Sequence, residues 1–504
     1  MATNGGVGPK ATTLSQVQEL FIGGKHKPSS DNVEFQVINP MTGANIYSCA
    51  SATVDDVSEA IESAHTAFKS WSRMGPSARR SIFLKAADIL EGYIHGDAPE
   101  ILASEVSATA TWVKVNIFST ANVLREAAGL VTHIKGEIVP ADRPGTTVLI
   151  TREPLGVMYA ISPWNAPVNL TARAIACPLI CGNTVVLKPS EYSPKSQHLV
   201  IKALTEAGLP AGCINFVPCS PDRAAANTEF AVKHPTVRHI NFTGSERVGK
   251  IIAGWAASCV KKCVFELGGK APVIVREDAD LDDAVESIIF GGLANNGQVC
   301  MSTERVIVHK SISGDFKSRL LARAGALKCG NHHVEKDVSI SGLFTPASAS
   351  RVLGLVKSAV DTGATLLMGD MKLDGPNKTI MRPHILEGVT REMDLYHQES
   401  FGPVMILLEF ETDEEGVDLA NDSDFSLCAS VFSRDVMRAM ELAKQVRAGS
   451  CHINGPTIYI EPTLPNGGVG GSSGYGRFGG VAGVEEFTER KIVSLAQPGM
   501  KYSF

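Results

Sequence analysis

Two successive series of short buried-strand patterns, each strand separated from the next by a helix-length segment, limit what this chain can fold into more than any other feature. The first series starts with "NTVVLKPS", passes through a helix at about 196–207, and continues with "GCINFVP", a second helix and "VRHINFTGS". The second starts at "APVIVRED" and runs through "ERVIVHKS", "FGPVMILLEF" and "CASVFS" to "SCHINGPT". Strands apolar on both faces need cover on both, and an intervening helix returns the chain so that consecutive strands pair in parallel. The expected fold class is therefore α/β, with two doubly wound parallel-sheet domains.

Ahead of the first series the apolar period is helical over about 53–90. Thr53 is a candidate N-cap with Asp56 three residues on, Asp55 and Asp56 suit the helix dipole, and Val57, Ile61, Ala64 and Phe68 share one face. Further helices are expected at "SARRSIFLKAADILEGYI" and "STANVLREAAGLVTHI". Over 146–167, two β-branched runs flank a charged, Pro-containing turn and read as a hairpin or strand pair. A Gly-rich tract at 465–480, "PNGGVGGSSGYGRFGG", interrupts the second series.

Composition narrows the function classes. A chain of 504 residues allows two to four domains at roughly 150 residues each. Its 47 basic and 53 acidic side chains leave a net charge of −6, which disfavours nucleic acid as a partner. No apolar window is long enough to span a membrane, and the Gly/Thr-rich start has no signal-peptide core, so a cytoplasmic protein without a membrane partner is expected. The eleven scattered cysteines form no disulfide framework. The spacing of Cys177 with Cys181, and of Cys259 with Cys263, places each pair on one helix face, but two ligands do not make a metal site. Reduced cysteines packed as small hydrophobes, and no metal, are expected.

Several residues could carry chemistry, each beside an ordinary alternative. Cys300, in "ANNGQVCMSTERV", follows small and polar residues that allow close approach of a ligand; it reads as an accessible nucleophile or as a structural cysteine. Glu266, in "CVFELGGKAPVIV", sits among apolar neighbours, which would raise its pKa and suit it to general-base work; the alternative is a salt-bridged glutamate at a strand end. Asn165, in "SPWNAP", is held between prolines and could donate to an oxyanion, or could simply form a turn. Gly244 and Ser245, in "NFTGSERVG", lie where a strand gives way to a helix whose N–H groups could hold a pyrophosphate, although the spacing is not that of a dinucleotide fingerprint. Lys188 and Glu191, in "KPSE", could bond ribose hydroxyls or form a solvated ion pair.

Taken together, "SPWN", "KPSE", "FTGS", "ELGGK", "GQVC" and "ESFGPV" occur in an order that resembles the aldehyde dehydrogenase superfamily over nearly the whole chain. The likeness is strongest to enzymes for salicylaldehyde, vanillin and benzaldehyde, through "SPWNAPV", "ANNGQVCMSTERVIV", "INGPTIYIEPTLPNGGV" and "SSGYGRFGG". The resemblance implies an NAD-dependent oxidation of an aromatic aldehyde to its acid. Cys300 would attack the carbonyl, Asn165 with the Cys300 N–H would hold the oxyanion, and Glu266 would activate the water that hydrolyses the thioester. Ile161, Trp164, Lys188, Glu191, Gly244, Ser245, Val248, Gly249, Leu267, Glu399 and Phe401 match cofactor-contact positions. A carboxylate at Glu191 would accept from a ribose 2′-hydroxyl and repel a 2′-phosphate, which favours NAD over NADP. Trp112, Arg173, Val299, Met301 and Tyr459 would line the aldehyde tunnel, with Arg173 bonding a ring hydroxyl or phenolate, and packing in the core as the alternative for Trp112 and Tyr459.

The implied architecture is an NAD-binding domain (16–134 and 155–267), a catalytic domain (268–480) and a small β element for oligomerisation (135–154 and 481–504), giving a homodimer or homotetramer. Residues 1–15 match nothing and are expected to be disordered. The Gly-rich tract departs from the family in having glycine where many relatives have lysine, and in being about one residue longer. Alternatives are an aliphatic aldehyde or semialdehyde as substrate, a CoA-acylating relative, against which Glu266 argues, and a non-catalytic protein that keeps the fold.

Overall fold

The structure is a computed structural model that describes residues 17–499 and Lys501; the disorder expected for 1–15 lies outside the described residues. Both strand–helix series form sheets. The first sheet has seven strands in the order Lys262–Glu266, Val237–Thr243, Val157–Ile161, Thr184–Lys188, Ile214–Phe216, Leu20–Ile22 and Lys25–Lys27. Its first five strands are parallel, and an antiparallel hairpin closes one edge. The second sheet has the order Thr365–Met368, His384–Glu387, Val404–Phe410, Thr303–His309, Ala271–Val275, Cys428–Phe432 and Ser450–Ile453, parallel except at its first edge.

The order of the first sheet explains where a ligand can go. After Val157–Ile161 the chain lays its next strands on one side, then crosses back to put Val237–Thr243 on the other. Helices therefore leave in opposite directions from the carboxyl ends of these two neighbours, and a crevice opens between them. Residues 162–165 and Gly244 with Ser245 lie at those two ends.

Local chemistry accounts for most boundaries. Thr53 caps the helix Val54–Trp71: its hydroxyl accepts from the Asp56 N–H while the Asp56 carboxylate accepts from the Thr53 N–H. The continuous helical pattern over 53–90 is in fact broken at Ser72, and a second helix, Pro76–Gly92, starts with proline at its first position, where no N–H is missed.

Three expectations are corrected. The runs at 146–167 are strands, Thr146–Pro154 and Val157–Ile161, but they do not pair with each other. The first joins Glu137–Val139 and Thr488–Ala496 in a separate three-stranded sheet, because Pro154 and the left-handed Gly156 (φ +131°) redirect the chain between them. Cys259 and Cys263 share no helix face: Cys259 ends the helix Glu246–Ser258, and Cys263 follows a turn and lies in the strand Lys262–Glu266. The Gly-rich tract does more than interrupt the second series. It runs beside Lys262–Glu266, where the carbonyls of Tyr475 and Ser473 accept from the N–H groups of Phe265 (2.8 Å) and Leu267 (3.1 Å). Side chains would forbid this approach, since a Cβ on Gly474 would lie 2.3 Å from the Phe265 carbonyl oxygen. All eleven cysteines are free, and among the described residues no helix is long and apolar enough to cross a membrane.

Candidate active site

The loop before the strand Thr303–His309 carries Cys300. Asn295, Asn296 and Gly297 are all left-handed (φ +48°, +60° and +73°), a run that side-chain amides make tolerable. Asn296 donates to the Gly342 carbonyl (3.0 Å) and accepts from the Ser341 N–H (2.7 Å), while Asn295 donates to the Asn165 carbonyl (3.0 Å). Gly297 has no alternative, because a Cβ there would meet the Gly402 carbonyl oxygen at 2.1 Å. The polar approach to the thiol is thus a pinned, strained turn.

Glu266 ends its strand fully buried, and Cys300 Sγ donates to its Oε1 at 3.4 Å. Its other oxygen accepts from the Arg173 guanidinium, which also lies over the Phe478 ring (5.2 Å). Apolar surroundings alone do not describe this carboxylate, since its negative charge is buried against a cation. The Cys300 thiol is held well above its ordinary pKa, first by burial and then by the Glu266 carboxylate, with Arg173 pulling the other way. The glycines after Glu266 serve close approach: a Cβ on Gly269 would lie 2.0 Å from the Cys300 carbonyl oxygen. Asn165 donates from Nδ2 to the Gln298 carbonyl (3.0 Å), over the same turn, and its own carbonyl accepts from Trp112 Nε1 (2.8 Å).

Two hollows meet at Asn165, Leu170 and Cys300. One is a cavity of about 230 Å³ whose wall includes Trp112, Arg173, Val299, Met301, Ile458 and Ile460. Tyr459 does not belong to this wall: the turn at Pro456 directs its ring outward, over His452 and with its hydroxyl on Glu461 (2.5 Å). Trp112 is both packing and wall.

The other hollow is a cleft of about 1230 Å³ at the crevice described above. Trp164, Gly244, Ser245, Leu267, Glu399 and Phe401 line it. Ser245 caps the helix Glu246–Ser258 without a side-chain cap bond, while the Gly244 N–H is occupied by the Glu266 carbonyl (3.1 Å). Ile161, Lys188, Glu191, Val248 and Gly249 stand behind or beyond this lining. Ile161 and Lys188 are register partners at adjacent strand ends, with the Lys188 ammonium on the Pro189 carbonyl (3.2 Å) and Glu191 half-buried just after it. Val248 packs into the core beside the sheet, and Gly249 leaves room for the Leu267 side chain. Glu399 accepts from the Gly269 N–H (2.8 Å), and burial together with the Glu304 carboxylate pushes its carboxyl up to about 8.

Sequence reading missed the residues that tie these motifs together. Lys270 and Glu304 form a buried ion pair (2.6 Å), and Glu304 also accepts from the N–H groups of Ser400 (2.9 Å) and Phe401 (3.3 Å). Phe344 stacks on Trp164 at 3.9 Å, and Arg351 donates to the Ser400 carbonyl (2.6 Å). Lys270 and Glu304 stood inside matched motifs, but nothing in their spacing reveals that they pair. Lys270→Met would leave the Glu304 charge buried and uncompensated. The expected result is a loss of about 3–5 kcal/mol, read as an earlier midpoint in chemical denaturation; an unchanged midpoint would refute the pairing.

Comparison with known proteins agrees with this arrangement. The sequence model described as the aldehyde dehydrogenase family matches residues 26–493. Vanillin dehydrogenase of Pseudomonas fluorescens is 44% identical over 476 residues, which is 94% of this chain and 97% of that protein. The crystal structure of a salicylaldehyde dehydrogenase from Pseudomonas putida G7, complexed with salicylaldehyde, superposes with a TM-score of 0.93 at 40% identity, covering 97% of this chain and 100% of that one. A crystal structure of PnpE in complex with nicotinamide adenine dinucleotide gives a TM-score of 0.91 at 30% identity over 96% and 98% of the two chains. With the family match spanning most of the sequence and the thiol, carboxylate and amide motifs gathered at one place, the chain belongs to the aldehyde dehydrogenase family and is an oxidoreductase of the aldehyde group.

Proposed function

We propose that the chain oxidises aromatic aldehydes to carboxylic acids with NAD, through a thiohemiacetal and then a thioester on Cys300. The observation that carries this reading is the position of Cys300 between a cavity sized for a ring and a cleft sized for a dinucleotide. An apolar cavity of about 150 Å³ suffices for benzene, so one of about 230 Å³ leaves room for the aldehyde and ring substituents. The vanillin and salicylaldehyde relatives support the aromatic class.

The cleft suits NAD. The first turn of Glu246–Ser258 offers N–H groups to a phosphate, the uncapped Ser245 hydroxyl lies beside them, and a largely protonated Glu399 does not repel the cofactor at neutral pH. Glu191 favours NAD over NADP. When bound, NAD supplies the hydride acceptor that turns the thiohemiacetal into the thioester. The protein's own residues do the rest. Glu266 takes the thiol proton, the sulfur bonds to the carbonyl carbon, and Asn165 Nδ2 moves from the Gln298 carbonyl to the oxyanion. Once Glu266 has released that proton it accepts another from water, whose oxygen attacks the thioester as the carbon–sulfur bond breaks.

The reading is tested by following NADH formation over a panel of aliphatic, benzoic and cinnamic aldehydes. The aromatic members should have kcat/KM at least about tenfold above the aliphatic ones, with NADP far less effective than NAD. A preference for aliphatic aldehydes or semialdehydes would overturn the substrate class, and equal use of NADP would remove the role given to Glu191.

The same reading assigns 16–134 with 155–267 to cofactor binding, 268–480 to catalysis, and 135–154 with 481–504 to self-association as a dimer or tetramer in the cytoplasm. Exposed apolar side chains on the three-stranded sheet, Ile138 (76% exposed) and Ile492 (71%), support the last of these. A monomer by sedimentation at micromolar concentration would refute it.

A further inference from the structure

We propose that the side-chain amide of Asn466 hydrogen-bonds an oxygen substituent on the ring of the aldehyde, and so selects hydroxylated or alkoxylated benzaldehydes over the bare ring. The inference rests on the aromatic-aldehyde reading above and concerns the far wall of the same cavity.

Asn466 sits in the Gly-rich tract, and its backbone is fully used. Its N–H donates to the Phe478 carbonyl and its carbonyl accepts from the Phe478 N–H, both at 2.9 Å. Residues directly opposed in an antiparallel bridge project their side chains to the same face, so the amide stands beside the Phe478 ring. Phe478 is itself cavity wall and lies beneath the Arg173 guanidinium, which holds Glu266. Asn466 is only 8% exposed, lines the cavity with Cys300, and its buried Nδ2 has no partner in the protein.

The other nitrogen-bearing side chains of the wall that could greet a ring oxygen are engaged. Arg173 is paired with Glu266, Asn165 Nδ2 with the Gln298 carbonyl, and Asn169 Nδ2 with Ser119 Oγ (2.8 Å). Among the described residues, Asn466 is the only wall side chain with a buried polar atom left unpaired. Buried polar atoms are almost always satisfied, and a ligand in the cavity supplies the missing bond here. A primary amide suits either substituent: its NH₂ donates to an ether oxygen, and its carbonyl accepts from a phenol. A site built to bond a ring oxygen discriminates against the analogue that lacks it, because the amide is then left unpaired.

The experiment compares Asn466→Leu, close in shape but apolar, and Asn466→Ala with the unchanged enzyme. Substrates are benzaldehyde and its ortho, meta and para hydroxy and methoxy derivatives. The ratio of kcat/KM for at least one substituted isomer to that for benzaldehyde should fall about tenfold in both variants. The change should lie mainly in KM, and the isomer most affected locates the contact on the ring. If substituted and unsubstituted aldehydes fall together, or the ratio stays unchanged for every isomer, the inference is overturned while the aromatic-aldehyde reading stands. An unchanged enzyme that oxidises aliphatic aldehydes and no benzaldehyde overturns that reading and this inference with it.

Discussion

Cys300→Ala is expected to lower kcat/KM for aldehyde oxidation by at least about a thousandfold, because the variant has no atom that can carry the acyl group between oxidation and hydrolysis. Cys177 is the other thiol on the cavity wall, but it does not reach the cofactor cleft, and its own proton is held tightly, first by its hydrogen bond with Cys181 and then by burial. It offers no substitute. NAD binding, followed through quenching of tryptophan fluorescence, should survive the substitution, since the cleft keeps Trp164, Ser245 and Glu399. Residual turnover above a few per cent would show that the nucleophile lies elsewhere. The unchanged enzyme should also quicken as pH rises through and above neutrality. A thiol held above its ordinary pKa is mostly protonated at neutral pH, and its reactive thiolate grows with each step upward.

Thr184–Lys188, Ile214–Phe216 and Val237–Thr243 of the first sheet and most of the second sheet were legible in the sequence because these strands are buried on nearly all sides, and continuous apolar runs such as "TVVL" and "APVIV" announce themselves. Val157–Ile161 reads as a strand but with the wrong partner, and Leu20–Ile22, Lys25–Lys27 and Lys262–Glu266 do not read as strands, the first two being three residues long and the last lying at the sheet edge. Thr365–Met368 and His384–Glu387 do not either, since both are four residues long and the first lies at a sheet edge. Within the site, Cys300, Glu266 and Asn165 could be singled out by their glycine, asparagine and proline neighbours. The partners that fix them could not. Arg173 reads as a substrate ligand when only its place on the helix after Asn165 is known. That its guanidinium reaches Glu266 depends on how Pro167–Ile180 packs against the strand Val237–Thr243 and its neighbours, which no local pattern encodes. The glycine tract shows the same limit: its composition signals turns, whereas its pairing with Phe265 and Leu267 is a long-range contact.

Glu266→Gln separates the two halves of the reaction. The amide keeps the size of the side chain and can still accept from Arg173, and without the neighbouring carboxylate charge the Cys300 thiol gives up its proton to solvent more readily, so acylation of Cys300 should persist without Glu266 as its base. An amide cannot take a proton from the attacking water, so hydrolysis of the thioester should not. Steady-state turnover is expected to fall by about 10²–10⁴-fold, with a burst of NADH of about one equivalent per site as the thioester accumulates. Removing the carboxylate also removes one of the charges that hold the Cys300 proton in place. Burial remains, but the thiol should titrate at lower pH than in the unchanged enzyme, because the neighbouring negative charge was raising its pKa. Alkylation by iodoacetamide, measured against pH in the absence of substrate, reads that shift directly, and an unshifted or upward-shifted profile would contradict it. Loss of the burst together with the turnover would mean that Glu266 is needed before the thioester forms. Its contact with the Cys300 thiol at 3.4 Å would then be essential to the attack itself, whereas unchanged steady-state turnover would mean that deacylation uses another base.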